Sequence, residues 1–392
     1  MSELKEKKLS AINCKLLSGY AFKSSDFSEF GIPLIKIGNI QNKLVSSQLS
    51  VSFISHNILN ENTERYLLEN DDVLIAMTGQ GSVGRVGKLK LSANEMALLN
   101  QRIGKFICDE ESLSKKYLYY VLTSDKYQDL LFNTGAGSGQ PNLSPELILD
   151  TEIPWFNYDE QKIIATVLSS LDDKIDLLHR QNTTLERMAE TLFRQWFVEE
   201  AQEDWEDKPL SSIANFLNGL ACQKFPPTDA INQLPVLKIK ELSSGISENS
   251  DLATSNVKPE YIVENGDVIF AWSASLMVKV WDGEKCVLNQ HLFKVSSQEF
   301  PKWFYLYWCK YHLDEFISIS SSHATTMGHI KRGDLDTAIV KVPKLHQLAL
   351  MTEQMTPLLE KQIINAKQIK TLEKLRDNLL PKLMSGDVRV NH

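Results

Sequence analysis

The sequence lacks several patterns that would each indicate a particular class of protein. It has no run of apolar residues approaching the roughly 20 that cross a membrane, and its first residues lack the apolar core of a signal peptide. Its 18 glycines and 13 prolines are few for 392 residues, which excludes collagen-like and linker-like chains. We therefore expect a folded cytoplasmic protein, with a length that allows two or three domains.

Metal-binding and disulfide patterns are also missing. The eight histidines include no HExxH or HxxxH spacing, and no CxxC pair occurs anywhere. Zinc sites and disulfide frameworks depend on such spacings. We expect no metal site, and five buried free thiols at Cys14, Cys108, Cys222, Cys286 and Cys309.

No motif for catalysis is present, so we expect no catalytic residue. Residues 79–84 fit the GxGxxG dinucleotide pattern, but 85–91 alternate as a strand does, which indicates a glycine-rich hairpin. A P-loop would need Lys after Gly84, where Arg85 stands. The only Pro-Pro pair, Pro226-Pro227, lacks the flanking residues of an amino-methyltransferase loop. The chain is interpreted as a binding protein.

An excess of basic charge is absent as well, because the net charge is −8. The acidic residues concentrate in 159–200 and in a short segment at 201–208. The two large blocks on either side are therefore near neutral. A local basic face for nucleic acid remains compatible with this balance.

The chain does contain a long internal repeat. The segment Pro-Leu-Ile-Lys-Ile at 33–37 returns as Pro-Val-Leu-Lys-Ile at 235–239. Six further pairs of matching segments occur in the same order in both halves of the chain. Such a period is too long for a solenoid and indicates duplication of a whole domain-plus-helix unit. The other matched segments are 8–12 with 209–213, Gly19 with Gly219, 70–76 with 265–271, 99–101 with 288–290, 117–119 with 305–307, and 149–151 with 335–337.

Each repeat begins with a mixed domain. Short β-rich runs at 73–77, 104–108, 268–272 and 292–295 lie among Gly, Asn and Ser turns. One aromatic-rich stretch in each repeat, 114–131 and 303–317, is predicted to be a helix.

Each repeat ends in a long helix of about 60 Å with coiled-coil spacing. Asp159 is expected to cap the first helix, Gly386 to end the second, and Pro357 to break or kink the second. A helix packed only on its own domain is the alternative, but such helices show a wider apolar stripe. The predicted seam consists of Ile164, Leu168, Leu171, Ile175, Leu178, Leu185 and Leu192, with Met355, Leu358, Ile369, Leu372 and Leu379.

The predicted fold class is α+β, with two duplicated mixed α/β domains separated by two long helices. The helices are expected to pair as an antiparallel coiled coil with pseudo-twofold symmetry, in which Asn182 meets Gln362 or Asn365 and fixes the register. The predicted segments are a first domain at 1–158, a first helix at 159–200, an acidic linker at 201–208, a second domain at 209–344, and a second helix with its tail at 345–392.

Polar and basic residues at matched places are candidates for contact with DNA. The neutral loop 135–143 can present amides to base edges, and its counterpart 321–332 adds hydroxyls, imidazoles and cations. Any one of them can equally be a solvated surface side chain. The predicted DNA-binding residues are Lys36, Arg85, Lys88, Arg102, Gln140, Asn142, Lys238, His323, Thr325, Thr326, His329, Lys331 and Arg332.

The whole chain resembles the specificity subunits of type I restriction-modification systems. The resemblance rests on the repeat, on 33–37, 70–76 and 79–84, and on the junction Pro154 to Gln161, where Pro and Glu-Gln precede the long helix. The second copy departs at His346, where Glu is usual.

This resemblance implies a non-catalytic subunit with two target recognition domains, each reading half of a bipartite, asymmetric DNA sequence. The helices would set the spacer and dock two methyltransferase subunits, with restriction subunits joining them. S-adenosylmethionine, ATP and magnesium would belong to those partners. A coiled-coil scaffold with duplicated protein- or glycan-binding domains is the alternative.

Overall fold

The computed structural model describes residues 5–136, 141–322 and 328–389, without the side chain of Ser322. The chain divides into unit 1, residues 1–173 with 374–392, and unit 2, residues 174–373. Both boundaries fall inside long helices. The helices are α1 Lys115–Leu122, α2 Asp125–Ala136, α3 Pro145–Leu149, α4 Tyr158–Arg194, α5 Leu210–Ile213, α6 Ile239–Ser244, α7 Lys302–Tyr311, α8 Leu313–Ser322, α9 Arg332–Thr337 and α10 Leu345–Met384.

Short strands make up the mixed part of each unit, and the β-rich runs predicted at 73–77, 104–108, 268–272 and 292–295 are confirmed as strands. Unit 1 contains β1 Glu6–Lys8, β2 Lys15–Ser18, β3 Phe27–Ser28, β4 Ile32–Ile35, β5 Ile40–Gln41, β6 Leu44–Ser46, β7 Phe53–Ile54, β8 Leu67–Leu68, β9 Val73–Ala76, β10 Val86–Lys90, β11 Ala97–Leu99, β12 Ile103–Ile107 and β13 Glu152–Pro154. Unit 2 contains β14 Glu206–Pro209, β15 Asn215–Asn218, β16 Gln233–Leu237, β17 Leu252–Thr254, β18 Ile262–Val263, β19 Val268–Ala271, β20 Met277–Val280, β21 Cys286–Leu288, β22 Leu292–Ser296 and β23 Ile339–Val342.

The two units repeat one sheet topology. The central sheet of unit 1 has the order β2-β12-β9-β10-β6-β5, and that of unit 2 has the matching order β15-β22-β19-β20. A second sheet in each unit contains a parallel pair, β4 with β11 and β16 with β21. An antiparallel pair, β1 with β13 and β14 with β23, closes each repeat, and β14 includes residues predicted as acidic linker. The duplication seen in the sequence is therefore a duplication of fold.

The glycine-rich segment 79–84 joins two antiparallel strands, β9 and β10, as predicted. Gly79, Gly81 and Gly84 all have positive φ, a backbone conformation that other residues adopt only at a cost in free energy. A Cβ on Gly84 would lie 2.8 Å from the Leu131 backbone. The pattern reflects a turn packed on α2, and no helix opens there as dinucleotide binding would require.

The prediction of one aromatic-rich helix in each repeat is wrong, because the structure has two helices there, α1 and α2 or α7 and α8. Thr123 ends α1, with its hydroxyl donating to the Tyr119 carbonyl at 2.7 Å. The Gln128 amide then donates to the Leu122 carbonyl at 2.7 Å. The Gln128 side chain thereby satisfies a carbonyl that a continuing helix would have bonded itself.

The expected cap of the first long helix and the expected break in the second are also wrong, while a kink at Pro357 stays a prediction. Asn157, and not Asp159, caps α4: its amide oxygen accepts from the Glu160 N–H at 2.9 Å, and the Glu160 carboxylate accepts from the Asn157 N–H at 3.1 Å. The helix α10 continues through Pro357, which is exposed, while the neighbouring Met355 is fully buried. Packing of this apolar face offsets the local cost of proline. Gly386, with φ of 76°, follows the end of α10 as expected.

Within each unit, the segments of α4 and α10 run antiparallel. In unit 1, the Arg376 guanidinium lies 2.8 Å from the Asp172 carboxylate. In unit 2, the Asn182 amide donates to the Gln362 carbonyl at 3.1 Å and accepts from the Asn365 amide at 2.9 Å. The predicted polar register contact is therefore present.

The predicted seam residues divide among three apolar clusters. Leu171 and Leu185 are half-buried. The domain cores therefore take part of the seam, and residues 175–178 of α4 pack directly on 369–372 of α10. Ile164 and Leu168 lie in the core of unit 1, with Leu379 packed against it. Met355 lies in the core of unit 2, with Leu192 and Leu358 packed against it, and Ile175, Leu178, Ile369 and Leu372 form a small cluster of their own.

In the parts of the chain that the structure describes, no helix combines the length and the apolarity needed to span a membrane.

Candidate nucleic-acid interface

In unit 1, the loop after β9 meets two other chain segments at the end of the central sheet. The Met77 N–H donates to the Arg102 carbonyl at 3.0 Å, and the Leu143 N–H donates to the Met77 carbonyl at 2.7 Å. Thr78 and Asn142 form an isolated antiparallel bridge beside these bonds. Residues far apart in the sequence are thereby held at one edge.

Unit 2 repeats this arrangement with other residues. The Trp272 N–H donates to the His291 carbonyl at 3.4 Å, and the Ile330 N–H donates to the Trp272 carbonyl at 3.1 Å. Ser273 and His329 form the matching isolated bridge. The backbone bonds correspond one to one with those of unit 1.

A fourth position comes from the neighbouring strand in each unit. Ser18 ends β2 with its hydroxyl 3.8 Å from the Met77 sulfur, while Asn218 ends β15 and accepts from the Trp272 indole N–H at 3.1 Å. We name the four matched positions the sheet-end clusters. The unit 1 cluster is Ser18, Met77, Arg102 and Asn142, and the unit 2 cluster is Asn218, Trp272, His291 and His329.

The recurring Leu-Asn-Gln and Gly residues build the frame under both clusters. A Cβ on Gly19 would lie 2.2 Å from the Asn100 carbonyl oxygen, and a Cβ on Gly219 would lie 2.2 Å from that of Asn289. Only glycine fits so close an approach of two backbones. The Asn100 N–H donates to the Ile35 carbonyl at 3.3 Å, as the Asn289 N–H does to Leu237 at 3.2 Å. Backbone contacts thus fix the turn before Arg102 in unit 1 and the turn before His291 in unit 2.

The side chains on the two frames differ in chemistry. Arg102 and Asn142 are exposed in unit 1, and His291, His329 and Asn218 are exposed in unit 2. Trp272 stacks on Phe293 with ring centroids 5.6 Å apart, and His291 Nδ1 lies 3.1 Å from the Ser273 hydroxyl. Hydrogen-bond donors and hydrogen-bond acceptors therefore both face solvent from these backbone frames. Such groups can bond to base edges.

The matched lysines flank these frames, because Lys36 follows β4 and Lys238 follows β16. The Lys36 ammonium donates to the Ser52 hydroxyl at 2.7 Å and lies 5.2 Å from the Phe27 ring centroid. Lys238 instead forms an ion pair with Asp251. Within the part of the chain that the structure describes, Lys36 has no carboxylate at ion-pair distance and its charge can meet a phosphate, whereas Lys238 is neutralised by Asp251.

Of the predicted basic residues, the structure brings some near a cluster and leaves one away from it. Arg85 lies on the glycine hairpin and donates to the Gly81 carbonyl at 2.8 Å. Lys88 points elsewhere: its ammonium lies 3.7 Å from Asp71 and 5.3 Å from the Tyr119 ring centroid.

The remaining predicted residues belong to two loops. In unit 2, exposed Lys331 and Arg332 follow the His329 bridge at the start of α9, and Arg332 donates to the Phe216 carbonyl at 3.5 Å. Gln140, His323, Thr325 and Thr326 lie outside the described residues.

Sequence reasoning missed Ser18, Met77, Asn218, Trp272 and His291. A signal for one of them was available, because Arg102 and His291 directly follow the two copies of Leu-Asn-Gln. Trp272 likewise follows the matched strand in the second copy, where Met77 stands in the first. Only the sheet register shows that these positions, with Ser18 and Asn218, are neighbours.

The cysteines do not provide chemistry at these surfaces. All five are buried and free, as predicted. Burial raises the pKa of the Cys222, Cys286 and Cys309 thiols above the ordinary value, which keeps them protonated and poorly nucleophilic at neutral pH. Across the described ranges, no three His, Cys, Asp or Glu side chains gather as a metal ion would require.

Comparison with known proteins gives a family match and several similar relatives. The family model described as the type I restriction modification DNA specificity domain matches residues 1–187 and again residues 202–374. The MjaIX type I restriction enzyme specificity subunit of Methanocaldococcus jannaschii is 28% identical over 72% of this chain and 71% of its own length. The EcoBI specificity subunit of Escherichia coli is 22% identical over 95% and 84%.

A solved structure shares the fold. The crystal structure of the type I restriction-modification system S subunit from M. genitalium superposes with a TM-score of 0.62 at 15% identity, covering 98% of this chain and 97% of that one.

Proposed function

Because the chain belongs to the family of type I restriction-modification specificity subunits, we propose that its two sheet-end clusters read the two halves of one DNA target. The family match occurs twice, so the chain recognises DNA with two specificity domains. The observation that carries the proposal is one backbone frame presented twice with different exposed side chains. Two related frames with different side chains suit two half-sites of different sequence.

The chemistry of the clusters suits the major groove. Amide, guanidinium and imidazole groups are donors or acceptors of the kind that distinguish base pairs there. Lys36, Arg85, Lys331 and Arg332 can contact phosphates around them, which positions the domains without reading sequence. Because the net charge of the chain is −8, we expect other subunits of a complex to supply further phosphate contacts.

We further propose that α4 and α10 dock two methyltransferase (modification) subunits, with restriction subunits joining that complex. Partly exposed apolar side chains on these helices support this proposal, since such surfaces favour association. The partly exposed apolar side chains are Leu177, Met188, Ile364 and Leu375, between 39% and 51% exposed.

S-adenosylmethionine, ATP and magnesium would bind to the partner subunits. Because the target is DNA, the complex would act in the cytoplasm.

The test is to co-express the full chain with the modification subunit of the same system and to map methylated adenines in the host DNA. We expect a split motif of two specific half-sites separated by a spacer of fixed length, because each specificity domain would read its own half-site and both belong to one chain. The control is the modification subunit expressed alone. A single continuous motif would contradict the assignment of one half-site to each cluster, and a stable complex that methylates no defined motif would favour a scaffold.

A further inference from the structure

We infer that Arg102 reads a guanine in the half-site recognised by unit 1, which rests on the proposed function and assigns one base contact within it. The inference depends on three features of Arg102: a fixed backbone, an unengaged guanidinium, and a different residue at the same place in unit 2.

The backbone of Arg102 is held from several sides. The preceding Gln101 N–H donates to the Tyr20 carbonyl at 3.1 Å, and the Arg102 N–H donates to the Asn100 side chain at 3.2 Å. The Arg102 carbonyl accepts from Met77. Arg102 also lies immediately before β12, in the central sheet. A backbone held in this way loses little further freedom on binding, so only the side chain remains to be ordered by a contact.

The guanidinium is available for a ligand. Among the arginines of the two repeated domains, Arg65 donates to the Tyr66 hydroxyl, Arg85 to the Gly81 carbonyl and Arg332 to the Phe216 carbonyl. Within residues 5–136, 141–322 and 328–389, the exposed Arg102 guanidinium has neither a hydrogen bond nor a carboxylate at ion-pair distance. Its donors and its charge are therefore free to face DNA.

Guanine is the base that this group fits best. Guanine presents two acceptors, O6 and N7, in the major groove, and the planar guanidinium offers two parallel N–H donors at matching spacing. The corresponding residue in unit 2, His291, has no such pair of donors, and one of its ring nitrogens already lies 3.1 Å from Ser273. The guanine contact is thus assigned to the unit 1 half-site alone.

The test uses the complex of the full chain with its modification subunits. Methylation rates are measured on DNA duplexes that carry each of the four bases at every position of the mapped motif. For Arg102→Ala, we expect one guanine position of one half-site to lose about 5- to 150-fold of its discrimination, with the other half-site unchanged. Arg102→Lys should keep part of the preference, since a lysine retains one charged donor to guanine.

Arg85→Ala is the matched control, because that arginine is exposed on the neighbouring hairpin but already bonded within the chain. It should leave base preferences at every position unchanged, because a phosphate contact at Arg85 would weaken binding to all sequences alike. Thermal melting of each variant confirms that the domains are folded. If Arg102→Ala keeps full discrimination at every guanine, or if neither half-site contains a guanine, the inference is wrong. A wild-type complex without any bipartite motif would instead overturn the proposed function itself.

Discussion

Replacing Asp72 with alanine is expected to lower the free energy of unfolding of unit 1 by about 3–5 kcal/mol. Asp72 is 1% exposed, and one carboxylate oxygen lies 2.6 Å from the Lys105 ammonium and 2.8 Å from the Glu69 N–H. Its removal leaves the mostly buried Lys105 without its partner, and an uncompensated buried charge is costly. Hydrogen exchange along β9 and β12 measures this loss in unit 1 separately from unit 2.

The repeat supplies the control for this prediction. Asp267 occupies the matching place in unit 2, where it lies 2.7 Å from the Lys294 ammonium and accepts from the Glu264 N–H at 2.9 Å. Its side chain is 25% exposed, so water can replace the lost partner. Asp267→Ala should therefore cost only about 2 kcal/mol, the scale of a charge-assisted hydrogen bond. Equal losses in the two units would show that burial does not decide the effect.

Replacing Gly219 with alanine is expected to reduce methylation of the mapped target by about 100-fold or more. The added Cβ would lie 2.2 Å from the Asn289 carbonyl oxygen, so the turn that carries His291 has to move. Under the proposed function both half-sites have to be bound for methylation, and the displaced turn belongs to the unit 2 cluster. Methylation of a duplex carrying the full motif, at fixed complex concentration, measures the effect.

Gly333→Ala is the control for this substitution. Position 333 lies in α9 of the same unit, and a Cβ there would meet no atom within 4 Å. Alanine in a helix is also favoured over glycine, so stability should not fall. Normal methylation by Gly219→Ala would show that the close backbone approach does not position the site.

The sequence predicted the features that depend on repetition and regular spacing. Matched segments located the strands of both central sheets. The polar residues that interrupt the apolar seam located the contact between Asn182 and Asn365. Local hydrogen bonding was less visible. Thr123 and Gln128 end a helix that composition alone would continue, and Asn157 caps α4 in place of its neighbour Asp159.

The candidate site was only partly predictable, since it is assembled by sheet register. Ser18 and Met77 are adjacent because β2 and β9 both pair with β12, a relation that no spacing in the chain records. Lys88 stands only three residues after Arg85 in the sequence, but it pairs with Val73 toward the other end of β9 and β10. Two residues that are close in the sequence can therefore lie toward different ends of the same strand pair, with only one of them near the sheet-end cluster.

The most direct test of the two-cluster account compares Asn142→Ala with His291→Ala in the complex with modification subunits. Mapping of methylated adenines should show that each variant relaxes bases in one half-site only, and that the two variants relax different halves. Lys88→Ala, which alters neither cluster, should retain the wild-type motif. If both cluster variants change the same half, or if neither changes the motif, the sheet-end clusters are not the surfaces that read DNA.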